Sequence, residues 1–114
     1  MTPKDRLLHD ERNLWALRFP LCWACGGKTF AVDTHEIVRR GETADWRNTA
    51  NYVRLCRSCH EEAHGGDLSK GVILTLKLLF DPLEFDLDWI RERSIRKGVH
   101  PEPLPERCRW MLKV

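Results

Sequence analysis

Apolar side chains recur at helical spacing toward both ends of the chain, and a shorter, nearly alternating pattern lies between them. The apolar residues from Leu7 to Leu17 predict an N-terminal helix over 3–18, which Pro20 ends. Three further helices are predicted: a short one over 58–64 that Gly65-Gly66 stops, one over 68–80 that is apolar on one side, and one over 86–96 that begins near Asp86. β-branched residues predict one strand over 29–38 and a second over 52–55. The pattern as a whole predicts an α+β protein with a central two-stranded unit.

The connecting segments are polar or rich in proline. Residues 39–50 predict a loop with one helical turn around Trp46. Three prolines between 98 and 105 predict an extended tail over the surface, and a last helical turn holds Trp110 and Leu112. Trp15, Trp23, Trp46, Trp89 and Trp110 are each expected to pack within the protein rather than to stack on a ligand.

Length and composition favour one small domain over 1–114. Hydrophobic residues make up 42% of the 114 positions, so the core is small, and domains of this kind are often stabilised by a metal or a disulfide. Charged residues make up 32% with a net charge of +2, which neither requires nor excludes a nucleic-acid partner. The N-terminus is charged throughout, and the apolar stretch 72–80 is interrupted by Lys77. We therefore expect a cytoplasmic protein with reduced cysteines and no membrane partner.

Four of the five cysteines form two C-x-x-C pairs, Cys22 with Cys25 and Cys56 with Cys59. Structural zinc takes four ligands in a tetrahedron and prefers thiolates, so the two pairs predict one structural Zn²⁺ site. The alternative is a redox C-x-x-C, but two pairs in this setting are not explained by it. The fifth, Cys108, is expected to be a buried thiol.

Two histidines follow the second cysteine pair at helical spacing. His60 and His64 are four residues apart, so one face of a helix carries both, and His35 lies late in the predicted strand. Three imidazoles can hold one further divalent ion. Surface histidines without a ligand are the alternative for a helical pair considered alone.

Two segments in this order resemble the HNH endonuclease motif. The first is VDTHEIV over 32–38, after a C-x-x-C turn, and the second is NYVRLCRSCHEEAH over 51–64. The resemblance covers residues 22–64, and the flanking helices are loosely similar to small HNH proteins of phages and prophages. It implies a ββα-metal core over 20–66 with a structural zinc, an N-terminal helix over 3–18 and a C-terminal helical extension over 67–114.

The resemblance also implies a function and site residues. The function is metal-dependent hydrolysis of DNA phosphodiester bonds, in a bacterial or phage-infected cytoplasm, with double-stranded DNA as partner and phage packaging or other proteins as further candidates. Fourteen residues separate Glu36 from Asn51 and eight separate Asn51 from His60, as in members with histidine ligands such as the colicin nuclease domains. This register makes His35, His60 and His64 the ligands of a catalytic Zn²⁺, Ni²⁺, Mn²⁺ or Mg²⁺ ion. It makes Asn51 the asparagine that orients the general base.

Glu36 stands where the family usually has its base histidine. A carboxylate is a poorer base than an imidazole near neutral pH, and three interpretations follow. Glu36 is the base; or His35 is the base and Asp33 a metal ligand, since i and i+2 share a strand face; or catalysis is lost and the domain only binds DNA or a protein.

Five arginines lie within or beside the motif, and as a set they favour phosphate contacts with DNA. They are Arg39, Arg40, Arg47, Arg54 and Arg57.

Overall fold

Four α-helices and one two-stranded antiparallel sheet occur in the part of the chain that this computed structural model describes, residues 2–27, 31–65 and 68–112. The elements are α1 (Pro3–Leu17), β1 (Val32–Glu36), β2 (Tyr52–Cys56), α2 (Arg57–Gly65), α3 (Lys70–Phe80) and α4 (Leu87–Arg93). Short 3-10 turns lie at Thr49–Asn51, Glu106–Cys108 and Trp110–Leu112. The predicted α+β class is confirmed. Within these described segments no helix is long and apolar enough to cross a membrane.

The two strands form a hairpin onto which α2 folds. β1 pairs antiparallel with β2, and His35 lies opposite Val53 in the register. α2 begins at Arg57, the residue after the last position of β2. Because no loop separates β2 from α2, the helix contacts both strands. This short β-β-α unit brings residues of β1 next to residues of α2.

The strand predicted over 29–38 is shorter in the structure, and β1 ends at Glu36. Beyond it, the backbone N–H of Val38 donates to Asn51 Oδ1 at 2.6 Å, and Val38 O accepts from Asn51 Nδ2 at 3.0 Å. An asparagine side chain therefore satisfies the backbone that a longer strand would have paired. Positions 29 and 30 of the predicted strand, and positions 66 and 67 at the predicted end of the core, lie outside the described residues.

Two helices are shorter than predicted because polar side chains set their ends. α3 begins at Lys70 rather than at 68, since Ser69 is its N-cap and accepts from the backbone N–H of Val72. α4 begins after Asp86, whose carboxylate caps the backbone N–H of Trp89. It ends before Ser94, where the backbone is extended.

Aromatic side chains dominate the core between α1, α3 and the hairpin. Trp15 of α1 lies with its ring centre 5.8 Å from that of Trp23, and the Trp23 ring stacks on Phe80 of α3 at 5.3 Å. Trp15, Trp23 and Tyr52 are all buried. The expected packing of Trp15 and Trp23 is therefore confirmed.

The proline-rich tail is extended and lies at the surface, as predicted, and only Leu104 of residues 98–105 is buried. It also packs along α3, where the N–H of Glu102 donates to Gly71 O at 2.9 Å and Thr75 Oγ1 donates to Glu102 O. Leu104 is buried against the core, and Cys108 is fully buried as predicted. The sequence pattern did not predict the packing along α3, because proline sets the backbone shape but not the surface on which it lies.

A buried ion pair ties α3 to the segment before β2. Lys77 Nζ donates to Thr49 O at 2.6 Å, to Tyr52 O at 2.9 Å and to Asp81 Oδ2 at 2.7 Å. Trp15 Nε1 donates to the same Asp81 oxygen at 2.8 Å. Both charged side chains are almost completely inaccessible to solvent. The pair thus fixes the backbone on both sides of Asn51.

Replacing Asp81 with alanine is expected to lower the free energy of unfolding by about 3–5 kcal/mol, because the Lys77 ammonium is left buried without its counter-charge. Urea denaturation followed by tryptophan fluorescence measures the loss. Asp10→Ala, at an exposed position of α1, is the matched control and should change stability by less than about 0.5 kcal/mol. Equal midpoints for the two variants would contradict a structural role for the pair.

Candidate functional site

The four predicted cysteine ligands converge on one point. Cys22 and Cys25 lie in a tight turn that Gly26 permits with a φ of 75°, and Cys56 and Cys59 lie at the junction of β2 and α2. The four sulfur atoms lie within 4.8 Å of one another, and Cys25 Sγ is 3.8 Å from Cys56 Sγ. A tetrahedron with Zn–S bonds of about 2.3 Å has sulfurs about 3.8 Å apart, whereas a disulfide needs about 2.05 Å. The cluster can therefore hold a structural metal ion such as zinc.

Without a cation, burial works against the thiolate forms of Cys22 and Cys59. Burial raises the pKa of Cys22, and burial together with the nearby Cys22 thiolate raises the pKa of Cys59. Burial opposes ionisation of Cys56 too, but hydrogen bonds from the Cys59 backbone and from neighbouring thiols lower its pKa. Four thiolates at this spacing repel one another, and a divalent cation between them removes that cost.

Three histidines form a second cluster beside the first. His35 comes from β1, and His60 and His64 come from successive turns of α2. The ring centre of His35 is 4.7 Å from that of His60 and 5.2 Å from that of His64, and the two α2 rings are 4.8 Å apart. One nitrogen of each ring lies within 4.8 Å of the others. The predicted three ligands are thus brought together by the β-β-α unit.

The surroundings of His35 and His64 favour their neutral forms, and the neutral imidazole is the form that binds metals. Burial, together with the positive charges that His60 and His64 can carry, lowers the pKa of His35 to about 3. Burial and the neighbouring His60 also lower the pKa of His64. Neutral imidazole nitrogens carry a free lone pair near neutral pH, so the cluster is suited to a divalent ion.

Asp33 lies outside the three-histidine group and contacts one of its members. Its Oδ2 is 3.4 Å from His60 Nδ1 and accepts from Arg57 Nε at 3.1 Å. Burial works against the charged form, but these hydrogen bonds lower the pKa of Asp33 and keep it ionised. A carboxylate on Nδ1 fixes the ring so that Nε2 faces the cluster. This geometry favours Asp33 as a partner of a ligand rather than as a ligand itself.

Glu36 follows His35 on β1 but points to a different set of partners. Its Oε1 accepts from Arg40 Nε at 2.9 Å, and its Oε2 lies 4.0 Å from an Arg12 nitrogen. Only 14% of the side chain is exposed. The carboxylate borders the same hollow as His60 and His64, so it lies beside the histidine cluster and is held by two guanidinium groups.

An open hollow of about 510 Å³ lies in front of these side chains. The hollow is lined by two histidines, three carboxylates, Thr34 and three arginines: His60, His64, Asp33, Glu36, Glu61, Arg12, Arg40 and Arg57. Comparison with known protein families, curated proteins and solved structures gave no match. The chemistry of the hollow therefore has to follow from its own residues, which combine two histidines, three carboxylates and three arginines.

Asn51 is fully buried, and its side chain forms hydrogen bonds with Val38 and Trp46 rather than with Glu36. Its side chain accepts from the N–H of Val38 and donates to the carbonyl of the same residue. Its Nδ2 also donates to Trp46 O at 3.0 Å. It therefore fixes the course of the loop that follows Glu36. Any orienting effect on Glu36 acts through this backbone rather than through a direct hydrogen bond.

Four of the five predicted arginines border the site, and one is used inside the protein. Arg54 donates from Nε to Phe19 O and from Nη1 to Thr34 Oγ1, both at 2.9 Å, so its guanidinium braces the hairpin. The other four have side chains on or near the hollows: Arg39, Arg40, Arg47 and Arg57. Arg54 is accordingly left out of the candidate DNA surface.

Trp46 supports two of these arginines. The guanidinium carbons of Arg40 and Arg47 lie 3.9 Å and 4.4 Å from its ring centre. The indole is therefore occupied by arginine side chains rather than free to stack on a base. This agrees with the expectation that Trp46 packs within the protein, and it holds both cations in place.

Arg12 of α1 belongs to the site although the sequence reasoning did not select it. It donates to Thr34 O of β1 at 2.9 Å and lines the hollow beside Glu36. Its Nε is buried without a hydrogen-bond partner among the described residues. Its spacing in the sequence could have indicated this position. Arg12 lies one helical turn before the buried Trp15, so both side chains are on the same face of α1.

Proposed function

We propose that this chain is a metal-dependent DNA endonuclease of the HNH type, with a ββα-metal core between its flanking helices. The observation that carries the proposal is the convergence of His35, His60 and His64 on one point beside Glu36. The residues occur in the order and spacing of the HNH motif, and the cysteine cluster lies at the start of α2. A solvated histidine pair would not need a third, buried imidazole from another element.

Two metal ions fit this arrangement, each with its own role. A zinc ion at the four cysteines would hold the turn at 22–27 against the junction of β2 and α2. A divalent ion at the three histidines would act as a Lewis acid on a phosphate oxygen and stabilise the leaving oxygen. Three nitrogen ligands suit Zn²⁺, Ni²⁺ or Mn²⁺ better than Mg²⁺, which prefers oxygen.

The side chains around the hollow supply the remaining steps of hydrolysis. Glu36 accepts the proton of the water that attacks phosphorus, while the P–O bond to the leaving sugar breaks. Arg12 and Arg40 are placed to exchange their contacts with Glu36 for contacts with phosphate oxygens, which frees the carboxylate when substrate binds. Asp33 holds His60 in the orientation that a ligand needs.

The arrangement of arginines supports a polyanionic substrate longer than a single phosphate. Two smaller hollows, of about 220 and 200 Å³, adjoin the main one, and Arg40 lines all three. One extends past His35 to Arg39, and the other runs between α1 and Trp46 to Arg47. A nucleic-acid strand has regularly spaced phosphates that match such a cationic path, so DNA is the partner that we propose.

Plasmid DNA incubated with the protein and one metal at a time tests the proposal. Cleavage is expected with Mn²⁺, Ni²⁺ or Zn²⁺ and should be weaker with Mg²⁺, because the ligands are imidazoles. His64→Ala is the matched control: the residue is exposed, so its loss should spare the fold and abolish cleavage. Calorimetry that found tight Mg²⁺ binding and no Mn²⁺ or Ni²⁺ binding would contradict the ligand set.

A catalytically silent module that binds DNA or a partner protein is the second candidate function. The observation that favours it is the pairing of Glu36 with both Arg40 and Arg12, which occupies the carboxylate that a base would need free. A protein that shifts DNA on a gel but cleaves none with any of the four metals would support this module. Cleavage that His64→Ala removes would exclude it.

A further inference from the structure

The C-terminal turn, residues 105–112, lies directly over the cysteine cluster. Trp110 Nε1 donates to Trp23 O, inside the first cysteine turn, at 2.9 Å. The Trp110 ring rests on Gly26, where a Cβ atom would come within 2.7 Å of the ring. Cys108, within this turn, is fully buried. The C-terminal turn therefore closes one side of the cluster and depends on a glycine to do so.

Arg107 of the same turn reaches a sulfur ligand. Its Nη1 lies 3.9 Å from Cys59 Sγ, within the range of an N–H···S hydrogen bond, and its Nη2 pairs with Glu62. Glu62 belongs to α2, between the two histidines of that helix. One guanidinium thus connects the C-terminal turn to a cysteine ligand and to the helix of the histidine cluster.

The net charge of a four-thiolate metal centre is a reason for a guanidinium to lie beside Cys59 Sγ. One divalent ion does not neutralise four thiolates, so a metal-loaded cluster keeps a net negative charge, and its inner side is buried. Donors from neighbouring residues to ligand atoms strengthen such a centre, and their loss typically costs about 10–100-fold in metal affinity. A guanidinium donating to Cys59 Sγ meets both needs, since it supplies a positive charge and a directed N–H.

We propose that Arg107 is a positioning residue of the structural metal centre, and that the C-terminal turn acts as a cap that slows release of the metal. The inference rests on the proposed metal at the four cysteines and is independent of nuclease activity. Arg107 holds the Cys59 thiolate by its hydrogen bond, and Trp110 holds the first cysteine turn. While the turn at 105–112 is in place, these two contacts hold the cysteine ligands and slow release of the metal.

The test compares Arg107→Gln with the wild-type protein in two measurements. The first is the rate at which a chelator removes zinc, which should rise by about 10–100-fold in the variant. The second is the sulfur-to-metal charge-transfer band of the Co²⁺-substituted protein. A hydrogen bond stabilises the sulfur electrons, so losing it should move the band to longer wavelength.

Arg109→Gln is the matched control. Arg109 lies two residues after Arg107, and its Nε donates to Leu104 O at 3.0 Å. Replacing it should loosen the same turn without removing a hydrogen bond to a sulfur atom. The band of this control should stay at the wild-type wavelength. An unchanged band in Arg107→Gln would overturn the proposal, even if zinc left faster, because the role would then be only structural. A wild-type protein that takes up no Co²⁺ or Zn²⁺ would overturn the metal centre itself, which is a different result.

Discussion

Glu36→Gln is expected to slow metal-dependent DNA cleavage by at least about 100-fold, because an amide cannot accept the proton of the attacking water. Glutamine has nearly the same shape and can still accept a hydrogen bond from Arg40. The fold and the zinc content should therefore be unchanged. Single-turnover cleavage of a labelled duplex, at a metal concentration that saturates the enzyme, measures the rate of the chemical step.

Asp33→Asn is the matched control for that prediction. Asp33 contacts His60 Nδ1 and so orients one of the proposed ligands. Its loss should therefore weaken binding of the catalytic metal by about 10–100-fold. At saturating metal its cleavage rate should be close to that of the wild type. Unchanged cleavage by Glu36→Gln, with a severe rate defect in Asp33→Asn, would instead assign the base to His35 and a ligand role to Asp33.

Cys25→Ser is expected to unfold the domain, although Cys25 is an exposed residue. Binding of structural zinc contributes about 10–16 kcal/mol in small zinc domains, which equals or exceeds the whole stability of a typical domain. Cys108→Ser changes a fully buried thiol but removes no ligand, so it should be the milder variant. If burial alone set the cost of a substitution, Cys108→Ser would be the more destabilising of the two variants.

Thermal unfolding followed by circular dichroism, with and without a chelator, measures both variants. The wild-type protein and Cys108→Ser should lose their folded signal on chelation and regain it with Zn²⁺. Cys25→Ser should lack the cooperative transition in either condition. A Cys25→Ser protein that melts at the wild-type temperature would show that folding does not depend on a metal at the four cysteines.

The parts of the site that the sequence predicted are those set by local spacing. His60 and His64 share a face because they are four residues apart on a helix, and a C-x-x-C turn brings its two sulfurs together wherever it occurs. The helix ends were less accurate. Ser69 caps α3 so that it begins two residues after the predicted start, and α4 ends before Ser94 rather than at position 96.

The parts that the sequence did not predict are contacts between distant positions. Arg12 reaches Thr34 across 22 residues, and Arg107 reaches Cys59 across 48. Arginine is common at the surface, so nothing in the local pattern separates these two from the others. In the sequence Lys77 only interrupts an apolar stretch, yet in the structure it lies buried against Asp81. Such contacts depend on how the helices pack, which periodicity alone does not determine.

Titration of the zinc-loaded protein with Ni²⁺, with the cleavage rate measured at each addition, tests most directly whether the three histidines form a catalytic metal site. We expect one further equivalent of bound metal per chain, a cleavage rate that rises in proportion to its occupancy, and the loss of both in His64→Ala. A second equivalent that binds and saturates while the DNA stays intact would contradict a catalytic role for the three histidines.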